Sequence, residues 1–212
     1  MNFKLSESDK VAITSAVSKA EKKTSGEIVP IIISKSDDYP AAHSRFGIIL
    51  AVIVTFAMRI QPYYPVEVDH IFWAFLACFA IGYYCAFNFR IKRFFTGQTE
   101  RAEEVHQKAL EIFFHRNLHT TKDRTGILIM ISLLEHRVEV VADAGINEKV
   151  EKHTWDNLVK ELIRQIKNDK MIDGLTDAIS TCGDYLSHHF PIKEDDENEL
   201  SDEVVTDENL NA

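Results

Sequence analysis

From Ile71 to Phe89 the chain runs for nineteen residues without a charge, and from Phe46 to Met58 it does so again. As a helix rising 1.5 Å per residue, the longer stretch would reach about 28 Å, close to the roughly 30 Å of a bilayer's hydrocarbon core. It carries Phe72, Trp73, Phe75, Phe79, Tyr83, Tyr84, Phe87 and Phe89, and ends at Arg90, Lys92 and Arg93. Aromatic residues near both ends and bases beyond one end fit a membrane-spanning helix. The shorter stretch gives only about 20 Å, so it spans only if Arg45 and Arg59 snorkel. Pro62-Tyr63-Tyr64-Pro65 reads as the turn between two antiparallel helices. The predicted spans are 44–60 and 70–89. The competing reading, an apolar hairpin inside a soluble core, would leave no polar face for water.

Orientation follows from the flanking bases. Lys35 and Arg45 precede the pair and Arg90, Lys92, Arg93 and Arg101 follow it, whereas the connecting loop has Arg59 against Glu67 and Asp69. By the positive-inside rule both chain ends are expected on the cytoplasmic side of a two-pass protein. Met1 to Ala20 is polar and has no apolar signal region.

The net charge of −9 belongs to the tail. Glu194 to Ala212 holds nine acids and no base, while the preceding 193 residues hold 24 acids and 24 bases. A balanced body with an acidic tail argues against nucleic acid as a partner. The tail itself is expected to be a solvated segment, although Leu200, Val204 and Val205 interrupt its acids and fit a docking motif. Cys78, Cys85 and Cys182 read as free buried thiols.

On either side of the hairpin the periodicity is that of a soluble α/β domain. Ser6 to Lys23 repeats apolar residues at helical spacing (Ile13, Ala16, Val17, Ala20), with Ser6 or Ser8 as cap and Gly26 as stop. Glu27 to Ser34 reads as a buried strand in which Pro30 leaves one side locally unpaired. Thr99 to Asn117 is helical. Thr125 to Ser132 and Arg137 to Asp143 form a strand hairpin, and two helices follow, one through Trp155 and Ile166 and one from Asp173 to Phe190. A strand, crossover, strand order predicts parallel first and second strands with the third antiparallel to the second. The expected fold class is α/β: an α/β/α sandwich with a short mixed sheet, interrupted by a transmembrane helical hairpin. Its parts are residues 1–38, the insert 39–95, residues 96–193 and the tail 194–212.

Several segments together resemble the TPM domain family. They are Thr24-Ser25-Gly26-Glu27-Ile28, Thr125-Gly126-Ile127-Leu128-Ile129, Glu135-His136-Arg137-Val138-Glu139-Val140, Asp143-Ala144-Gly145-Ile146, Trp155, and Phe190-Pro191 followed by Asn198-Glu199-Leu200. The resemblance covers roughly residues 5–35 and 96–206, and is strongest to bacterial membrane proteins whose TPM domain is interrupted by two spans. It implies an α/β/α sandwich, location in a bacterial inner (cytoplasmic) membrane, calcium or another divalent cation in some members, and acid phosphatase activity in plant members. Many relatives place two acids before the glycine where this chain has Asp143-Ala144-Gly145.

Candidate chemistry collects at the two ends of the sheet. The hairpin leaves near Ser34, so that rim, with Asp37, Asp38, Glu135 and His136, is expected to face the bilayer; the turn Glu135-His136 is expected to be exposed. The opposite rim collects Glu27, Asp123, Arg124, Asp143, Asn147 and Glu148. Calcium and similar cations need several converging oxygens, which makes Asp143, Glu27 and Asn147 the candidate metal ligands. The alternative is that Asp143 and Gly145 only end a strand and turn the chain. Arg124 suits a phosphate oxyanion, or an ion pair with Glu27 or Asp143. His115 and His119 have metal-ligand spacing without a zincin glutamate, and His188 and His189 suit a helix C-terminus. No phosphate-binding glycine loop, nucleophile elbow or zinc cysteine pair occurs.

These features favour a membrane-anchored, cytoplasm-facing interaction or accessory module. Its expected partners are the lipid bilayer and a membrane protein, or a second copy of itself. The alternative function is a divalent-metal-dependent phosphatase on the Asp143 rim.

Overall fold

The computed structural model describes residues 4–60, 66–193 and 198–210. The predicted turn at 62–65 and the first acids of the tail lie outside the described residues. The chain forms two compact units: Asp37–Glu103, and a second assembled from the segments before and after it.

The second unit begins with α1 (Glu7–Glu21), capped by Ser6 rather than Ser8. Asp9 N–H donates to Ser6 Oγ (3.2 Å) and Ser6 N–H donates to Asp9 Oδ2 (3.1 Å), a reciprocal capping box. The helix stops at Lys22, short of the predicted Gly26. Gly26 instead serves close packing, since a Cβ there would lie 2.8 Å from Leu186 Cδ1.

β1 (Glu27–Ile33) and β2 (Gly126–Ser132) pair in parallel from Glu27↔Gly126 to Ile33↔Ser132, and every residue of both strands is buried. Burial on both faces is why these strands read as continuous apolar runs rather than alternating ones. β3 (Arg137–Ala142) runs antiparallel to β2, as predicted. Ile28, Ile32, Ile127, Ile129 and Ile131 face a layer made by α1, α7 (Lys152–Lys167) and α8 (Met171–His189). Val29, Ile31, Ile33, Leu128 and Met130 face Val105, Ala109, Ile112 and Phe113 of α5 (Gln98–His115). The period of two sorts the side chains between the layers. A four-residue helix, α6 (Ala144–Asn147), follows β3.

The tail corrects the expectation of a solvated segment. Val205–Thr206 forms β4, which pairs with β1 at Ile31 and Ile32 and completes the order β3-β2-β1-β4. Val204 and Val205 are buried, Asp207 Oδ2 accepts from Ser34 N–H (2.9 Å), and Asn209 Oδ1 accepts from Thr206 N–H (2.6 Å). β4 is too short to reach Pro30, whose missing N–H is tolerated on that part of the edge. The apolar residues that break the acid run therefore dock it onto the chain's own sheet.

The first unit holds α2 (Pro40–Ile60) and α3 (Val68–Cys85), both long and apolar enough to cross a membrane. α2 begins before the charge-free stretch, and its 21 residues span about 31 Å. The two helices run antiparallel and meet at glycines: a Cβ on Gly82 would lie 2.8 Å from Gly47 Cα, and one on Gly47 2.9 Å from Phe79 O. His43 is buried beside this contact, with Nδ1 3.3 Å from Tyr83 O and its ring edge-on to Phe87 at 4.5 Å. The predicted second span, 70–89, ends early. Asn88 Oδ1 accepts from Arg90 N–H (3.0 Å), and this cap starts a separate helix, α4 (Phe89–Phe95).

Truncating the chain after Asn198 should cost on the order of 3 kcal/mol, from two buried valines at about 1.5–3 kcal/mol each. Urea unfolding of the detergent-purified chain would measure this, and an unchanged midpoint would mean that β4 adds nothing to the sheet.

Candidate functional site

Three segments reach one edge of the sheet. Glu27 opens β1, Gly126 opens β2 directly opposite, and Asp143 leaves β3 with its N–H donating to Gly126 O at 2.9 Å. Thr125 ties the edge together: its carbonyl accepts from Glu27 N–H (3.2 Å) and its Oγ1 donates to Ser25 O (2.9 Å). Gly126 has no room for a side chain, because a Cβ would sit 2.4 Å from Leu118 O. The two threonine-glycine segments that carry the family resemblance thus serve to bring two strand starts together.

Arg124 and Asp143 form the centre of this edge. Arg124 Nε donates to Asp143 Oδ2 (2.7 Å) and Nη2 to Oδ1 (2.9 Å), a two-pronged pair that fits the planar guanidinium. Arg124 is held at φ 56°, a left-handed conformation unusual for a side-chain-bearing residue. Gly145 lies against that turn, where a Cβ would approach both Asp123 O and Arg124 O to 2.7 Å. Asp143 is 4% exposed and also caps α6, its Oδ1 accepting from Ala144 N–H (2.6 Å). Of the two sequence readings of Arg124, the ion pair with Asp143 is the one present.

The other two proposed metal ligands are placed differently. Asn147 turns its Nδ2 back to donate to Ala142 O (2.6 Å). Glu27 is 7% exposed, and its Oε1 accepts from Glu199 N–H at 3.1 Å. Glu199 in turn accepts from Lys122 N–H at 3.1 and 3.2 Å, so the C-terminal segment closes over Glu27. Among the described residues no group of three or more His, Cys, Asp or Glu side chains is gathered as a metal cage. A cation at Asp143 would therefore compete with Arg124 for the same oxygens.

Beside Glu27 stands a residue that sequence reasoning missed. Glu21, in the last turn of α1, accepts from Ile28 N–H at 2.8 Å. Burial pushes its carboxyl up to about 9; the Glu27 and Asp202 carboxylates add to the rise, and the Ile28 N–H opposes it. Asp202 is held by Asn198 Nδ2 at 2.5 Å. The only sequence signal for this cluster is Val204-Val205, which anchors the acidic segment to the sheet.

At the other rim, the expectation that Glu135-His136 is exposed holds for His136 alone. Glu135 is buried: its Oε1 accepts from Ser36 N–H (3.0 Å) and Ser36 Oγ (2.7 Å), and its Oε2 from Ser132 Oγ. Two serines supply the donors that a buried carboxylate needs. The His115/His119 spacing does not lie on one helix, because Asn117 takes φ 57° and His119 sits in a separate turn with its ring 5.0 Å from Phe114. His188 and His189 occupy the last turn of α8 as expected. Cys182 is buried, which pushes its thiol pKa up and makes it a packing residue.

The Glu21 shift has a defined sign. Between about 4.5 and about 9 the folded chain keeps a proton that the unfolded chain releases, so stability falls as pH rises through that window, by up to about 1.4 kcal/mol per pH unit. Glu21→Gln keeps the acceptor for Ile28 and removes the titration. Melts at pH 5 and pH 8.5 should show the variant matching the parent at the lower pH and exceeding it at the higher. Equal pH dependence in both would remove Glu21 from the account. Separately, Asp143→Ala should destabilise more than Asp143→Asn, since only the alanine also loses the α6 cap, about 1 kcal/mol.

No curated protein matches the chain. Residues 92–185 match the TPM domain family. Among solved structures, the NMR structure of the BA42 protein from the psychrophilic bacterium Bizionia argentinensis is similar, with a TM-score of 0.60 and 20% identity over 97% of each chain. That likeness is one of fold.

Proposed function

We propose that the chain, whose residues 92–185 match the TPM domain family, is a membrane-anchored interaction or accessory module. In this reading the hairpin fixes it in a bacterial cytoplasmic membrane with both flanks inside, and the α/β/α unit engages another membrane component. The observation that supports the anchor is the hairpin's exposure. Only 22% of the most apolar window of α2 and 6% of that of α3 is buried, and Ile53, Phe56, Phe72, Trp73 and Leu76 are exposed. A soluble protein does not leave so large a contiguous apolar surface to water. The rim supports a non-catalytic role, because Arg124 and Asp143 neutralise each other and Asn147 is bonded to the carbonyl of Ala142.

Two experiments test the reading. With Cys78 and Cys85 changed to serine, Glu67→Cys should react with an impermeant maleimide added outside intact cells, and Ser8→Cys only after permeabilisation. The reverse pattern would invert the topology. Affinity purification from solubilised membranes should return the same membrane protein, or a second copy of the chain, in independent preparations; a chain that elutes alone at the mass of a monomer would count against an interaction role.

The phosphatase reading keeps one supporting observation: Glu27 and Asp143, both buried carboxylates, flank Gly126 on the same edge. A divalent cation bound there would raise stability by RT ln(1 + [L]/Kd). Millimolar calcium should then raise the melting temperature of the parent and not of Asp143→Ala, and the loaded protein should hydrolyse a phosphomonoester. No shift in either protein would leave Asp143 as a cap and ion-pair partner only.

A further inference from the structure

The short helix α4 has two unlike faces. On the inner one, Lys92 is buried and its Nζ donates to Asp38 O (2.9 Å), Thr96 Oγ1 donates back to Lys92 O (2.9 Å), and the Phe95 ring lies 4.9 Å from that of Phe46. These contacts fix the helix against its own unit. On the outer face stand Arg90 and Phe94, four residues apart and so neighbours on the helix surface. Phe94 is 82% exposed, and Phe87, just before the helix, is exposed as well. From Ala86 to Thr99 there are three bases and no acid.

This position and chemistry define an occupant. Three residues separate the end of α3 from the start of α4, so a bilayer that holds α3 places α4 at its boundary. A side that offers aromatic rings beside a guanidinium suits the layer where acyl chains meet headgroups, with rings inserted and the cation at the phosphates. We propose that the outer face of α4 is an interfacial docking surface for anionic phospholipid, in which Phe94 inserts at the acyl boundary and Arg90 binds the headgroup phosphate. The proposal rests on the membrane-anchored reading. It assigns α4 a role separate from the spans, as a collar that sets the depth of the hairpin and selects charged lipid.

Quenching by brominated lipid tests both levels separately. The full chain carrying Trp73→Phe and Phe94→Trp is reconstituted in phosphatidylcholine vesicles containing either phosphatidylglycerol or phosphatidylcholine brominated high on the acyl chain. Trp155, 9% exposed in the core of the α/β/α unit, gives a constant background. The introduced indole should be quenched by both lipids and more strongly by phosphatidylglycerol, with a relative affinity of roughly fivefold for each engaged base. Arg90→Gln should bring that ratio to about one, and high salt should narrow it. Equal quenching by the two lipids in the parent would overturn the anionic preference, and no quenching would overturn the interfacial placement, as when a protein partner covers this face. Trp73 in the unsubstituted chain distinguishes the failures. If Trp73 is quenched and the introduced indole is not, only the α4 assignment falls; if Trp73 is not quenched, the membrane anchor falls and the proposal with it.

Discussion

The parallel pairing of β1 with β2 is the constraint from which the rest follows. All seven residues of each strand are buried, so both faces of the sheet must be covered by helices. A parallel pair also cannot close with a tight turn, and the chain must cross over before β2 begins. Here the crossover contains the apolar hairpin, α4 and α5. The insertion lengthens the connection between two strands without entering their register, and loop-closure entropy grows only slowly with length. A sheet with a seven-residue parallel ladder can therefore carry a second compact unit inside its own connection.

The sheet edge at Glu27, Gly126 and Asp143 shows how such a pairing is fixed at its start. Three close approaches require glycine or tolerate left-handed backbone there: Gly126 beneath Leu118 O, Gly145 against Asp123 and Arg124, and Arg124 itself at φ 56°. Each is stabilised by bonds that cross between segments distant in sequence, above all the Arg124–Asp143 pair. The same edge gathers the carboxylates of Glu21, Glu27 and Asp202 in a place that raises the proton affinity of the first. Clustered acids are often a functional feature; here they also meet a structural need, since Glu21 accepts the N–H of the buried Ile28 and Glu27 that of Glu199.

The docked tail connects these features. Its acids made it look solvated, yet Val204 and Val205 supply enough buried apolar surface to hold a two-residue strand on β1, and Glu199 then closes over Glu27. A similar reversal occurs at Glu135. Next to His136 in a turn it looked exposed, and Ser36 with Ser132 provide the donors that allow its burial. In both places a few long-range contacts outweigh the local preference of charged residues for water.

The sequence by itself determined what depends on local pattern. Charge-free length marked two helices able to span a bilayer, helical and alternating periodicity marked the soluble elements, and the strand-crossover-strand order pointed to the mixed sheet and its sandwich. Ser6 as a cap, and Asp143 with Gly145 as a strand end and turn, were legible because capping and turning are properties of a few neighbouring positions. Only the tertiary structure decided what depends on contacts across the chain. Arg124 pairs with Asp143 rather than Glu27, Glu21 joins a cluster that no motif announces, and the acidic tail becomes a strand. The second spanning helix ends at Cys85, short of the end of its apolar run, because the Asn88 side chain captures a backbone N–H and starts a new helix. Hydrophobic period is a one-dimensional signal, whereas the partner of a buried charge is chosen by whichever donors the fold brings within reach.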